Sequence, residues 1–485
     1  MKRSIIYKLA AAFVAVTFTI GCSRSLGDAA ETSQSYPPIY PDYPDCTIPV
    51  NIAPLNFRVR GVDGIKSDFK IDGNVILSVS GKKGLIDIPM KEWRKMLETA
   101  QGQKIEVEVS TWSNMHPNGI KYKPFDIFVS PDSIDAYVSY RLIEPGYETW
   151  KKMGIYQREL CSFAEKAIVE NDVNDSGCLN CHSYRNYSPS TMMFHARGKG
   201  GGTVMYKDGK LKKINLATTG PKKQGVYPMW HPAGRYIAFS SNDTHQTFFG
   251  RKGNPIEVYD ISSDLIIYDT ETDSVITDPR FSETSRWETF PAWSPDGKYL
   301  YFCSADSCGM PLGRKDLHYD LLRVGFDAST GRMGETVDTI RSSALEGGSV
   351  SFPRISPDGK YLMYTLAENA TFPIWHKEAD LEVIRLSDNE IIDASLINSP
   401  ECESYHSWSS SGRWVIFSSR RLDGRYTRLF IAHMDKDGEF GKPFLLPQSD
   451  PEHNMLRMKS YNIPELMRGE VKIEKSKLKD LFNDK

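Results

Sequence analysis

The chain of 485 residues is 25% charged and 40% apolar, with a formal net charge of -2. That balance excludes a multi-span membrane protein, and the near-neutral charge argues against a nucleic-acid-binding surface. With 11% aromatics, 36 Gly and 28 Pro the composition is one of strands and turns, not of a helical bundle or a disordered chain.

The amino terminus reads as an export signal. Lys2, Arg3 and Lys8 form a basic start, and the apolar run Leu9 to Ile20 is too short to span a bilayer but suits a signal-peptide core. The run stops at Gly21-Cys22, which resembles a bacterial lipobox, with Thr19 where Leu is usual. The expectation is a signal peptide over 1–21, lipid on Cys22, and a membrane-anchored lipoprotein of the bacterial cell envelope that faces the periplasm. Simple secretion with later cleavage is the alternative. Residues 22–49, rich in Ser, Asp, Pro and Tyr, read as a flexible tether.

Residues 50–140 read as a small β-rich domain. LNFRVRG, NVILSVSG, KIEVEVSTWS and FDIFVS alternate as strands, and MKEWRKMLETAQG is a short helix ending at Gly102. In 141–177, the pattern of Tyr147, Trp150, Ile155, Tyr156, Leu160, Phe163 and Ile168 predicts a helical connector. The last stretch, 466–485, reads as a charged, solvated tail.

The body, 178–465, repeats. YPMWHPAGRYIAFSS, FPAWSPDGKYLYFCS, FPRISPDGKYLMYTL and YHSWSSSGRWVIFSS superimpose, with Trp230, Trp293, Ile355 and Trp408 at one position. Each unit is strand, tight turn, strand, and buries its apolar face only against a neighbour. Such units arranged around a centre make a β-propeller. The repeated Trp, Phe and Tyr are core residues, and Asp296 and Gly297 serve the turn. These phrases resemble the TolB-like, WD40-like PD40 repeats, which implies an all-β-dominant TolB-like β-propeller. Five phased units are visible; six blades are expected, since closure has to hide every strand edge.

Cys178, Cys181 and His182 spell C-x-x-C-H, the attachment signature of a single covalent c-type haem, with His182 as proximal iron ligand. A redox dithiol, a structural disulfide and a zinc site are the competing readings. Candidates for the distal iron position are Met192, Met193, His195 and His231, with His116 weaker. On a strand, Met192 and Phe194 would face one side and Met193 and His195 the other. Arg185 and Arg197 are candidates to offset haem propionates. Cys303 and Cys308 are spaced to close a small disulfide loop.

The combination of these repeats with the RLIEPGYE, C-x-N-C-H-S and SYNIPEL segments is similar to Bacteroidetes-type exported lipoproteins. With the haem signature, it leads to an expectation of a monohaem electron-transfer cytochrome, not an enzyme, docked through the propeller face to a protein or redox partner. A TolB-like binding scaffold with a structural or sensory haem or Cys178–Cys181 disulfide, and a peroxidase-like haem enzyme, are the alternatives. No hydrolase or protease motif stands out.

Overall fold

The repeated phrases fold as strand, turn and strand because the turn satisfies its own polar groups. Ser294 donates its hydroxyl to Asp296 Oδ1 (2.6 Å), Asp296 accepts the Lys298 N–H, and Ser294 Oγ accepts the Tyr299 N–H. Ser356 and Asp358 repeat this arrangement with Lys360 and Tyr361. The third member, Gly297, sits at φ 72°, where a side chain is disfavoured. His231 replaces the serine in one copy and does its work, its Nδ1 accepting the Ala233 N–H at 3.2 Å.

The structure is a computed structural model that describes residues 27–144, 152–198, 200–214, 216, 225–248 and 256–483. The expected signal peptide, Cys22, Tyr147 and Trp150 lie outside those residues. Among them are six four-stranded antiparallel sheets, the arrangement of a multi-blade propeller. Their inner strands are β1 (Leu179–Tyr184), β2 (Val226–Trp230), β3 (Arg286–Trp293), β4 (Ser349–Ile355), β5 (Glu403–Trp408) and β6 (Ser460–Met467). Each inner strand touches the next, and β6 lies against both β5 and β1, so they form a ring. Apolar clusters fill the wedges between sheets: Trp293, Leu300 and Phe302 of one pack on Tyr236, Leu265 and Ile267 of its neighbour. The indole N–H of Trp293 donates to the Met229 carbonyl (3.0 Å) and that of Trp408 to the Arg354 carbonyl (3.1 Å), tying adjacent sheets.

Every inner strand carries one irregularity. Cys181, Tyr227, Phe290, Phe352, Tyr405 and Ile463 all have positive φ, from 26° to 57°, and each coincides with a register shift against the neighbouring strand. A bulge of this kind redirects a side chain and bends the strand. The rings meet in sequence, Tyr227 to Phe290 at 4.5 Å, Phe290 to Phe352 at 5.6 Å and Phe352 to Tyr405 at 4.9 Å between centroids. They plug the axis.

Among the described residues of 141–177 there is no α-helix, only a single 3-10 turn at Asn171–Val173. Tyr137–Ile143, Gly154–Glu159 and Glu165–Glu170 are strands, and they pair in one sheet with β6. Their apolar residues alternate over short runs that also satisfy a helical spacing, so periodicity alone misleads here. The expected tether is structured from Glu31 onward, with Tyr43, Cys46 and Ile48 buried. The expected solvated tail ends in a helix, Lys475–Asn483, that buries Leu478 and Phe482. In the N-terminal region a seven-stranded sheet packs on α1 (Met90–Thr99) through Trp93, Met96 and Leu97. That core continues into Trp414, Ile416 and Phe444 of the last four-stranded sheet.

The sheet containing β6 joins chain segments far apart in sequence, so loss of β6 opens the ring. A chain ending after Lys459 is expected to lose its cooperative thermal transition and aggregate. A soluble truncated protein with the native circular-dichroism melt would overturn this.

Candidate functional site

The axial plug divides the centre into two mouths. Two thiols belong to the first. Cys178, Cys181, Arg141, Arg197 and Arg420 line a cavity of about 200 Å³ together with Tyr227, Tyr405 and Trp375. The guanidiniums of Arg141, Arg197 and Arg420 form no ion pair or side-chain hydrogen bond among the described residues, and Nε of the buried Arg420 is left without a partner. Arg420 lies over the Trp375 ring at 4.4 Å. Burial holds its pKa below the usual arginine value. Arg141 and Arg197 both act on Cys181, whose thiol is nevertheless pushed up by burial. Among the described residues one carboxylate lines the cavity, Glu144, and it is paired with Lys459 at 3.3 Å. The mouth therefore gathers three guanidiniums without a direct ion-pair partner among the described residues, although Asp423 and Glu401 act on Arg420 from further away, and its walls are aromatic.

Its outer wall is built by one hairpin. Tyr236–Phe248 and Ile256–Asp269 run 13 and 14 residues, much longer than the matching strands of other sheets, and carry Thr244, Gln246 and Val258 to the cavity. His376 clamps this hairpin, its Nε2 3.2 Å from Glu257 and its Nδ1 2.9 Å from Glu378. Burial alone would lower the His376 pKa, but the two carboxylates outweigh it and raise it to about 9. Trp375 is the residue beside it in the cavity wall.

The haem expectation does not fit this geometry. His182 lines a different space from Cys178: a void of about 10 Å³ shared with Phe290, Phe352 and Ile463, room for about one water. The reason is the bulge at Cys181, which breaks the register between Asn180 and Ser183 and separates the imidazole from the thiol mouth. A c-type haem needs both thiols and the imidazole around one slot. His182 is buried, with Nε2 unpartnered and its pKa lowered to about 3 by burial and by Arg141. The zinc reading fails as well, because no group of three or more His, Cys, Asp or Glu suited to a metal ion occurs among the described residues.

None of the distal candidates lines either space. Met192 and Met193 are fully buried in separate apolar clusters, on opposite strand faces as alternation requires. His195 Nδ1 meets Thr203 Oγ1 at 3.2 Å. His231 Nε2 meets the Gly297 carbonyl at 3.0 Å and is a turn residue. His116 pairs with Glu31 at 2.8 Å in the N-terminal region. Arg185 donates through Nε to the Pro232 carbonyl. Cys303 and Cys308 are both free, as are Cys178 and Cys181; Cys303 is packed in the core.

No protein-family model matches the chain, and no curated protein matches it. Among solved structures it is similar to an oligogalacturonate lyase in complex with manganese, at 13% identity and TM-score 0.35, covering 63% of this chain and 72% of that one. It is similar to a puromycin-hydrolyzing peptidase of Mycobacterium tuberculosis, at 11% identity and TM-score 0.36, covering 72% of this chain and 52% of that one. A third is prolyl oligopeptidase B of Galerina marginata bound to a 25mer macrocyclization substrate, at 12% identity and TM-score 0.35, covering 55% and 37%. The chain thus spans about half or less of the length of the two peptidases. At these values the likeness transfers no activity. The expectation of a TolB-like haem lipoprotein that carries electrons and is not an enzyme rested on a haem held by Cys178, Cys181 and His182, and it is corrected on the geometry: Cys178 and His182 line different spaces, and no metal-suited group of three or more His, Cys, Asp or Glu occurs among the described residues.

Of the residues that build the arginine mouth, Arg197, Cys178 and Cys181 had been singled out from sequence; Arg141, Arg420 and Trp375 had not. Arg420 does leave a signal. It follows the repeat phrase at the position held by Asn242, Ala305 and Ala367 in the other copies.

Because the folded pKa of His376 lies above its ordinary 6.5, its contribution is full below about pH 6.5 and is lost as pH rises through about 9. His376→Gln is expected to cost about 1–3 kcal/mol at pH 6. The gap from the parent protein should close by pH 10. Denaturant melts across that range test this, and a pH-independent gap would refute the clamp.

Proposed function

We propose that the arginine-lined mouth binds a small polycarboxylate carried on a ring or apolar frame. The observation that carries the reading is the convergence of Arg141, Arg197 and Arg420 on one cavity, none of them in an ion pair among the described residues. Guanidinium groups recognise carboxylates with paired, charge-assisted hydrogen bonds. Tyr227, Tyr405 and Trp375 supply flat walls for the body of the ligand. A volume of about 200 Å³ selects a molecule of the size of citrate or a single acidic sugar ring.

In the same proposal the six sheets are six blades of one closed propeller, with strands Tyr137–Ile143, Gly154–Glu159 and Glu165–Glu170 completing the blade of β6. The support is the ring of inner strands and the bulge shared by all six. Export and lipid attachment at Cys22 remain part of the proposal on the strength of the leader sequence, which would place the mouth in the cell envelope.

Titration calorimetry with citrate and with benzene-1,3-dicarboxylate tests the reading. Binding is expected to weaken with added salt and to fall about tenfold or more in Arg141→Ala and Arg197→Ala. Mass spectrometry of the recovered ligand shows whether it is held or converted. Unchanged affinity in both variants, or no binding of any polycarboxylate, would sink the proposal.

A further inference from the structure

The second mouth differs in chemistry. It is a cavity of about 370 Å³ at the other side of the aromatic plug, walled by Trp230, Trp293, Trp408 and the turn prolines, with Arg354 and Glu465 among its polar residues. Arg354 Nη2 meets Glu465 at 3.2 Å, and both side chains are nearly buried, 13% and 14% exposed. That pair cancels its own charge. Three polar atoms of its lining remain unanswered: Arg354 Nε, Trp230 Nε1 and the Tyr184 hydroxyl are buried without partners, and the first two can only donate. Trp230 is the odd member of its set, since Trp293 and Trp408 spend the same N–H on a neighbouring sheet. A buried unpaired donor carries the full desolvation cost of its group, which a ligand acceptor would recover. Arg468 also lines the cavity, exposed and with no ion pair among the described residues.

Every unsatisfied polar atom here is able to donate, Arg468 has no ion pair among the described residues, and the indoles and turn prolines supply apolar walls. We propose that this mouth is a second binding site, for a monocarboxylate on an apolar body, with the carboxylate toward Arg468 and the two orphan donors and the apolar body against the indoles. The shared chemistry covers two sources, a free organic acid and the carboxyl terminus of a peptide. This site is separated from the arginine mouth by the plug, whose residual void of about 10 Å³ passes no such molecule.

The full-length protein would be titrated by calorimetry with N-acetylphenylalanine, its carboxamide, and 4-phenylbutyrate. The acid is expected to bind with Kd below about 1 mM and the amide about tenfold or more weaker. Arg468→Ala should lose about tenfold for the acids while leaving citrate affinity unchanged. Trp230→Phe keeps the ring, removes the N–H, and should weaken the acids severalfold. Binding of both acids assigns the site to free organic acids, and binding of the peptide acid alone assigns it to carboxyl termini; either supports the proposal. Equal binding of acid and amide, an unaffected Arg468→Ala protein of native circular dichroism, or no binding of any probe overturns it. Failure of citrate to bind at all bears on the arginine mouth only.

Discussion

Six residues held at positive φ determine how the centre of this protein is built. Left-handed backbone costs a bulky side chain on the order of 1–3 kcal/mol, and here it is repeated in every inner strand. The strain is offset collectively, because each bulge turns a side chain toward the axis where it finds the next one. Contacts such as Tyr227 on Phe290 and Phe352 on Tyr405 add about 0.5–1.5 kcal/mol each beyond their buried area. The result is an axis closed by packing, and hence two chemically independent mouths instead of one continuous channel.

The same bulges decide what the C-x-x-C-H segment is able to do. In an undistorted strand, alternation would put position 178 on the face of His182 and Cys181 on the opposite one, parting the two thiols. The bulge at Cys181 brings the two thiols to one mouth and leaves the imidazole in the plug. A motif read along the chain assumes a loop free to wrap around a cofactor. This one is a buried strand fixed on both sides.

Much of the fold was legible because it repeats. Four copies of one phrase give the strand–turn–strand unit, and Trp293, Asp296 and Gly297 play the core and turn roles their chemistry suggests. His231 was legible as the odd residue of its copy but not as a turn residue, since an imidazole nitrogen accepting an N–H is a substitution for a serine hydroxyl that composition does not announce. The strands of 141–177 were hidden because they have no repeat phrase and the strand that joins their sheet to the ring, Tyr137–Ile143, pairs with β6, over 300 residues away: Arg141 lies opposite Asn462 and Leu142 opposite Tyr461. The mouths were hidden for a similar reason. Arg141, Arg197 and Arg420 are ordinary surface-type residues until the ring brings them to one cavity.

That long-range pairing also sets an order of events in biogenesis. The strand Tyr137–Ile143 has its β6-facing edge open until the residues near 460 have been synthesised, because no nearer segment supplies that partner. An open, half-apolar strand edge is a template for pairing with other chains. For most of its synthesis the nascent polypeptide therefore carries an adhesive edge, and its yield in a cell should depend on chaperones that shield strands until the final one arrives.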